Sequence, residues 1–373
     1  MQLFVSEFIC SGACPETKDY ESLRGEGLAM LLALLADLAA VPQCHLVTTW
    51  DARLPLPELG AVDWRRVTQG PQQETELFCQ LAGESDLTLV VAPESNGILS
   101  DRCRLVDASQ GTLAGCSSIA VETCSDKLAV SEILEQHGVP TPITTSLSAD
   151  VDPIGEFPFV IKPRHGAGSR HTRLIRNQRE WDACRHAVRR SVLPEMLQQE
   201  FQSGIPRSVV VLVDADDESF QMWPFCHQQF SQDGRFEFLG GRIDSASFPS
   251  AQLEDNLKII CRCVSGLRGY VGIDLVCPSD GSPPSIIDLN PRLTTAFLGY
   301  RRLAMDNLGS WLIGSNHGKR VRWRSEPVDF DCGDVASVMS TSTLYSSSMI
   351  HCEKETPKSS AASCEVEHPR DVR

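Results

Sequence analysis

The runs GYVGIDLVC (269–277) and IIDLNPR (286–292), joined through PSDGSP, restrict the fold more than any other feature of this chain. Each run has the length and the β-branched content of a strand, and the joining stretch has the Pro, Asp, Gly and Ser of a turn, so the pair reads as an antiparallel hairpin. Residues two apart on a strand share one face, about 6.6 Å from each other. Asp288 and Asn290 therefore point one way while Ile287 and Leu289 point the other, and Asp274 joins the polar pair from the facing strand. A strand end running into the Asn-Pro turn at 290–291 accounts for any one of these residues, but less well for all of them. Two carboxylates and an amide oxygen are hard donors of the kind that suits Mg²⁺, which leaves its other places to water and substrate phosphates. One ion fits such a set, as do two about 3.5–4 Å apart.

The first third has a different rhythm. LFVSEFI (3–9), CHLVTTW (44–50) and DLTLVVAPES (86–95) read as strands, with helices at about 21–40, 74–83 and 102–115 and a further strand at SSIAV (117–121). Strand and helix in alternation predict a parallel α/β sheet, whose ligands bind beyond the carboxyl ends of the strands. Glu7 with residues 10–14, and Pro93 to Asn96, fall at such ends. After a helix at 126–138 capped by Asp126, the pattern turns to antiparallel α+β. FPFVIKP (157–163) and TRLIR (172–176) read as a hairpin, followed by a helix, MLQQEFQSG, SVVVLVDA, SFQMWPFC and the helix LEDNLKIICRCVSGL. The predicted units are 1–122, 123–194 and 195–325, with 326–373 as an acidic, Ser-rich tail. That tail has nine acidic against four basic residues and loses apolar periodicity after about Val338, so it is expected to be largely disordered.

Charge narrows the function. The chain carries 34 basic and 49 acidic residues, net −15, whereas binders of a nucleic-acid backbone usually carry a basic surplus. The apolar run at 27–41 is too short to span a bilayer and contains Asp37. Fifteen scattered cysteines form no disulfide framework and no Cys-x-x-Cys pair. They read as small buried hydrophobes in a protein of the reducing cytoplasm, without nucleic-acid or membrane partners; a homodimer stays open.

RHGAGSR (164–170) joins the two strands of the 157–176 hairpin just after Lys162. Glycines there let backbone N–H groups approach an anion, Ser169 adds a donor and Lys162 a positive charge. With the acidic hairpin downstream, the ordered pattern resembles the ATP-grasp superfamily over about residues 1–323. Asp126-Lys127, PFVIKP, GAGS, QQEFQSGIPRSVVVLV, GIDLV and IIDLNPR each resemble one of its segments, in its order. The resemblance implies a Rossmann-like pre-ATP-grasp domain, a small central α+β unit and a C-terminal antiparallel α+β unit.

It also implies roles. Lys127 and Lys162 would contact the phosphates of ATP, under a mobile loop containing Gly166, Gly168 and Ser169. Glu200 and Phe201 would lie at the adenine. Asp274, Asp288 and Asn290 would hold Mg²⁺, as one or two ions, with Mn²⁺ an alternative. Arg292 would act at the transferring phosphoryl, beside Lys162. Asp288 stands where these enzymes usually carry Glu; one methylene shorter, it requires the ion to sit closer or to bind through one oxygen. The implied chemistry is an ATP-dependent carbon–nitrogen ligation through an acyl phosphate. FVSEFICSGA, EGLAMLLALLADL, VVAPESNGIL and NPRLTTAFLGY further resemble the tyramine–glutamate ligases of methanofuran biosynthesis. That implies a glutamate-like carboxylate and an amine as substrates, with Glu7, Thr294 and Thr295 facing them. Another amino-acid or peptide ligase, and an ATP-binding relative without turnover, are the alternatives.

Overall fold

The computed structural model describes residues 1–14, 23–147, 155–190, 195–214, 219–316 and 318–331. The tail from 332 onward, where disorder was expected, lies outside these residues.

Strands β1 (Gln2–Glu7), β2 (His45–Asp51), β3 (Val62–Val67) and β4 (Leu87–Val91) form the expected parallel sheet, in the order β3-β2-β1-β4. Edge strand β3, VDWRRV, was not anticipated, because it alternates poorly and carries adjacent arginines. Helix α1 (Arg24–Ala39) packs Leu31, Leu34, Leu35 and Leu38 with Leu3 and Val5 on one face. Helices α2 (Pro71–Glu84) and α3 (Ile98–Ala108) cover the other, where Phe4 meets Phe78, Leu81 and Val106. A sheet apolar on both faces must be covered on both, as parallel sheets are.

Two expectations fail next. The helix placed at 102–115 runs instead over Ile98–Ala108, and Leu113 then bridges to Thr88 as extended chain. SSIAV is not a strand but the start of α4 (Ser118–Ser125). Ser117 caps it by accepting from the Ala120 N–H, and the helix buries Ala120, Val121 and Cys124 while Ile119 faces solvent. The cap outweighs the β-propensity of one Ile and one Val. Helix α5 (Lys127–Gln136) follows, its N-terminus capped by Asp126 as read from the sequence.

The small antiparallel sheet comprises β5 (Thr144–Ser146), β6 (Phe159–Pro163), β7 (Arg173–Ile175) and β8 (Met196–Glu200) in the order β5-β8-β6-β7. With α6 (Gln178–Arg190) it closes a core of its own around Phe159, Ile161, Ile175, Trp181 and Met196. Strand β8, grouped with the C-terminal unit by its sequence position, pairs in this small sheet, so the crossover comes after Glu200.

The large antiparallel sheet takes β9 (Ile205–Val213), β10 (Phe220–Met222), β11 (Cys226–Phe230), β12 (Phe238–Ile243), β13 (Gly269–Cys277), β14 (Ser285–Asn290) and β15 (Val328–Asp331). One face packs Val209, Val211, Val271 and Ile273 against α4, α5 and α7 (Ala251–Cys263). The other packs Val210, Trp223 and Tyr270 with Phe297 and Tyr300 of α8 (Ala296–Leu303), beside α9 (Leu308–Leu312). β15 is a correction to the tail boundary: residues 328–331 add an edge strand and bury Phe330. Among the described residues no helix is long and apolar enough to cross a membrane, and the described cysteines are free thiols, half of them buried.

Candidate active site

The hairpin register sets the acidic part of the site. β13 and β14 pair so that Asp274 faces Asp288 and Gly272 faces Asn290. Asn290 donates its amide to Asp274 Oδ2 at 2.9 Å, which leaves its carbonyl oxygen as an acceptor. Burial pushes Asp274 up to about 6, the facing Asp288 adds to this, and hydrogen bonds from Asn290 and Gln228 oppose it.

The lysines arrive from the small unit and the helix before it. Asp126 fixes the start of α5 by capping it and by a two-pronged contact with Arg164, at 2.8 and 2.6 Å. Lys127, the first residue of that helix, forms a direct ion pair with Asp288. Burial disfavours its charge, but Asp288 and Glu94 outweigh this and hold it above the usual lysine range. Lys162, near the end of β6, is buried and donates to the Ile287 carbonyl at 3.4 Å. Burial pulls it down to about 8, with Asp288 opposing and Lys127 adding repulsion.

Loop 164–170 rests on the turn after β4 and on the end of α4. The Ala167 N–H donates to Ser95 Oγ at 3.2 Å, and the His165 ring meets the Ser125 carbonyl at 3.1 Å. Gly168 and Ser169 both take left-handed backbone, φ +68° and +56°, which turns the loop back toward β7. Gly166 precedes them beside Pro163. Glu200, an exposed strand end, and half-buried Phe201 lie at the crossover from the small sheet to the large one.

Arg292 follows the hairpin and reaches the first domain. Its guanidinium holds both oxygens of Glu94, at 2.8 and 2.9 Å, and donates to the Leu293 carbonyl at 3.1 Å. Thr294 shares a 2.7 Å hydrogen bond with Tyr270 OH, and Gly272 makes room for it, since a Cβ there would fall 2.7 Å from the Thr294 methyl. The Thr295 hydroxyl donates to Glu26, in the first turn of α1. Glu7, at the end of β1, is 2% exposed and accepts from the Cys10 N–H at 2.7 Å. Burial pushes it up to about 7 against its hydrogen bonds, and Glu26 adds to the rise. Gly27 lies directly over it: a Cβ there would sit 2.6 Å from Glu7 Oε1. Glu7, Glu26 and Arg292 line a half-open cleft together with the apolar Leu23 and Met30 and with Ala167 and Gly168 of the loop.

Lys127, Lys162, Asp274, Asp288 and Asn290 thus come together, Arg292, Glu7 and Gly168 line the adjoining cleft with Thr295 bonded to its Glu26, and Glu200 and Phe201 lie apart on the crossover after β8. Sequence reasoning missed Glu26, Glu94 and Gln228. The first is an ordinary acid in a helix's first turn. Glu94 was marked only as part of a strand-end turn, and Gln228 stands in CHQQF, which lacks the alternation that reveals a strand. Chemically the donor set fits Mg²⁺: it is all oxygen, and Lys127 already stands as a cation against Asp288.

Residues 44–121 match the pre ATP-grasp 3 domain and residues 124–296 the ATP-grasp domain. The tyramine–L-glutamate ligase of Methanocaldococcus jannaschii is 26% identical over 256 residues, 67% of this chain and 70% of that protein. The same enzyme of Methanocaldococcus fervens is 24% identical over 245 residues, 66% of this chain and 71% of that protein. An ATP-grasp superfamily protein from Archaeoglobus fulgidus superposes with a TM-score of 0.62 at 22% identity, over 86% of this chain and 90% of its own.

Proposed function

For a chain with the ATP-grasp fold behind a pre-ATP-grasp domain, and so a ligase of the carbon–nitrogen class, we propose the amidation of a glutamate-like carboxylate by an aromatic amine of the tyramine kind, driven by ATP. The observation that carries this reading is the junction at Arg292: lysines and hard oxygen donors lie on one side, and a cleft with carboxylates and an apolar wall on the other.

Lys127 and Lys162 hold the phosphates, with Glu200 and Phe201 toward the adenine. Asp274, Asp288 and Asn290 would hold Mg²⁺, as one ion or two, which when bound offsets phosphate charge. A carboxylate oxygen of the acid substrate attacks the terminal phosphorus and ADP leaves, giving an acyl phosphate. Arg292 stabilises charge on the transferring phosphoryl, the kind of positioned electrostatic help on which this chemistry depends. The amine nitrogen then attacks the acyl carbon, phosphate departs with the carboxylate oxygen, and the nitrogen gives up its proton to form the amide. Residues 164–170 exclude water from the acyl phosphate. Thr294 and Thr295 face the acceptor end with Arg292, and Glu7 approaches from the first domain.

ADP release is expected only when both an acid and an amine are present, with a product mass equal to their sum less one water. ADP release indifferent to both would overturn the reading. A guanidinium among carboxylates also complements a free amino acid, which favours an amino-acid or peptide ligase as the second reading; the same product mass separates the two.

A further inference from the structure

Gln228 belongs to no motif, yet it touches the centre of the metal-side cluster. Its Nε2 donates to Asp274 Oδ1 at 2.8 Å, while Asn290 takes Oδ2. The sheet register explains the reach. Asp274 faces Ser208 on β9, and Ser208 in turn faces Cys226 on β11. Directly opposed residues share a face, and so does the residue two further on, so Gln228 stands on the same face as Asp274 with β9 between them. The intervening side chain, Ser208, is small and leaves a path for the long amide to cross. Asp274 is thereby gripped from both sides, with one amide on each oxygen, and its carboxylate plane is fixed.

We propose that Gln228 is a positioning residue for the metal site: it holds Asp274 in the orientation that binds the ion, acting from two strands away. This rests on Asp274, Asp288 and Asn290 being the metal ligands. Such outer partners typically change metal affinity by 10–100-fold when removed. Because Asp288 is short, orientation of the remaining carboxylate matters more here than where a longer Glu could adjust.

The test is Mn²⁺ binding by electron paramagnetic resonance, with ADP present, on full-length wild-type protein, Gln228→Leu and Gln228→Met, alongside thermal unfolding and the Mg²⁺ dependence of ADP release. Both variants are expected to bind Mn²⁺ at least tenfold more weakly with Tm near that of wild type, and saturating Mg²⁺ is expected to restore kcat. Gln228→Asn, which keeps the donor but shortens its reach, is expected to fall between. Wild-type Mn²⁺ affinity in Gln228→Leu and Gln228→Met overturns the inference, as does weakening that only accompanies a large loss of Tm. Failure of the wild-type protein itself to bind Mn²⁺ with ADP overturns instead the metal-site reading beneath it.

Discussion

Glu7 shows what a single residue carries in this structure. Its carboxyl is buried under Gly27, and its pKa rises from 4.5 to about 7. A carboxyl raised in the folded state contributes full stability below its unfolded pKa and loses it as pH climbs through the folded one. Between pH 4.5 and 7 this costs about 3 kcal/mol, at roughly 1.4 kcal/mol per unit. Glu7→Gln keeps an oxygen for the Cys10 N–H but cannot ionise. Its Tm should fall less than wild type between pH 5 and pH 8; parallel curves would refute the assignment. The polar hairpin residues were legible because a two-residue spacing and one turn determine their common face. Glu94 was not, because its partner Arg292 lies 198 residues away and nothing local marks the pairing.

Among the elements, α1 has the most to join. Its Asp37 meets Arg301 of α8 at 2.6 Å, both nearly inaccessible, and its backbone carbonyl accepts from Asn307 at 2.6 Å. Burial pushes Asp37 up to about 6 against the pull of Arg301. Asp37→Ala leaves Arg301 buried without its carboxylate, which should cost about 3–5 kcal/mol. An apolar pair, Asp37→Leu with Arg301→Met, should recover most of that loss. Urea denaturation of the single and double variants checks both expectations; a double variant no better than Asp37→Ala would show that the helices need the ion pair itself. The apolar run of α1 was plain in sequence, but Asp37 gave sign only of a non-membrane helix. Its partner is visible only once α8 is folded against it. SSIAV failed for a related reason: five residues are too few for periodicity to overrule a cap.

At the scale of the molecule, the parallel sheet and the large antiparallel sheet share two cores, while the small sheet keeps a third to itself. A unit with a separate core moves as a body more readily than one whose core is shared. Adding Mg²⁺ with a non-hydrolysable ATP analogue should therefore slow hydrogen exchange in residues 157–175 and 195–200 and leave β1 and α1 nearly unchanged. Equal slowing throughout would argue against separate motion. The alternation of the first third and the antiparallel pattern that follows were readable in advance. The assignment of β8 to the small sheet was not, since strand partners at this distance depend on which core has room. One consequence concerns traffic. Ala167 and Gly168 line the cleft while their own loop follows Lys162, and Ser95 accepts from the Ala167 N–H. Under the proposed function a single door would serve two rooms: whatever lifts it to let spent nucleotide out would also open the way for the finished amide, and departure of the two products would be timed by one movement.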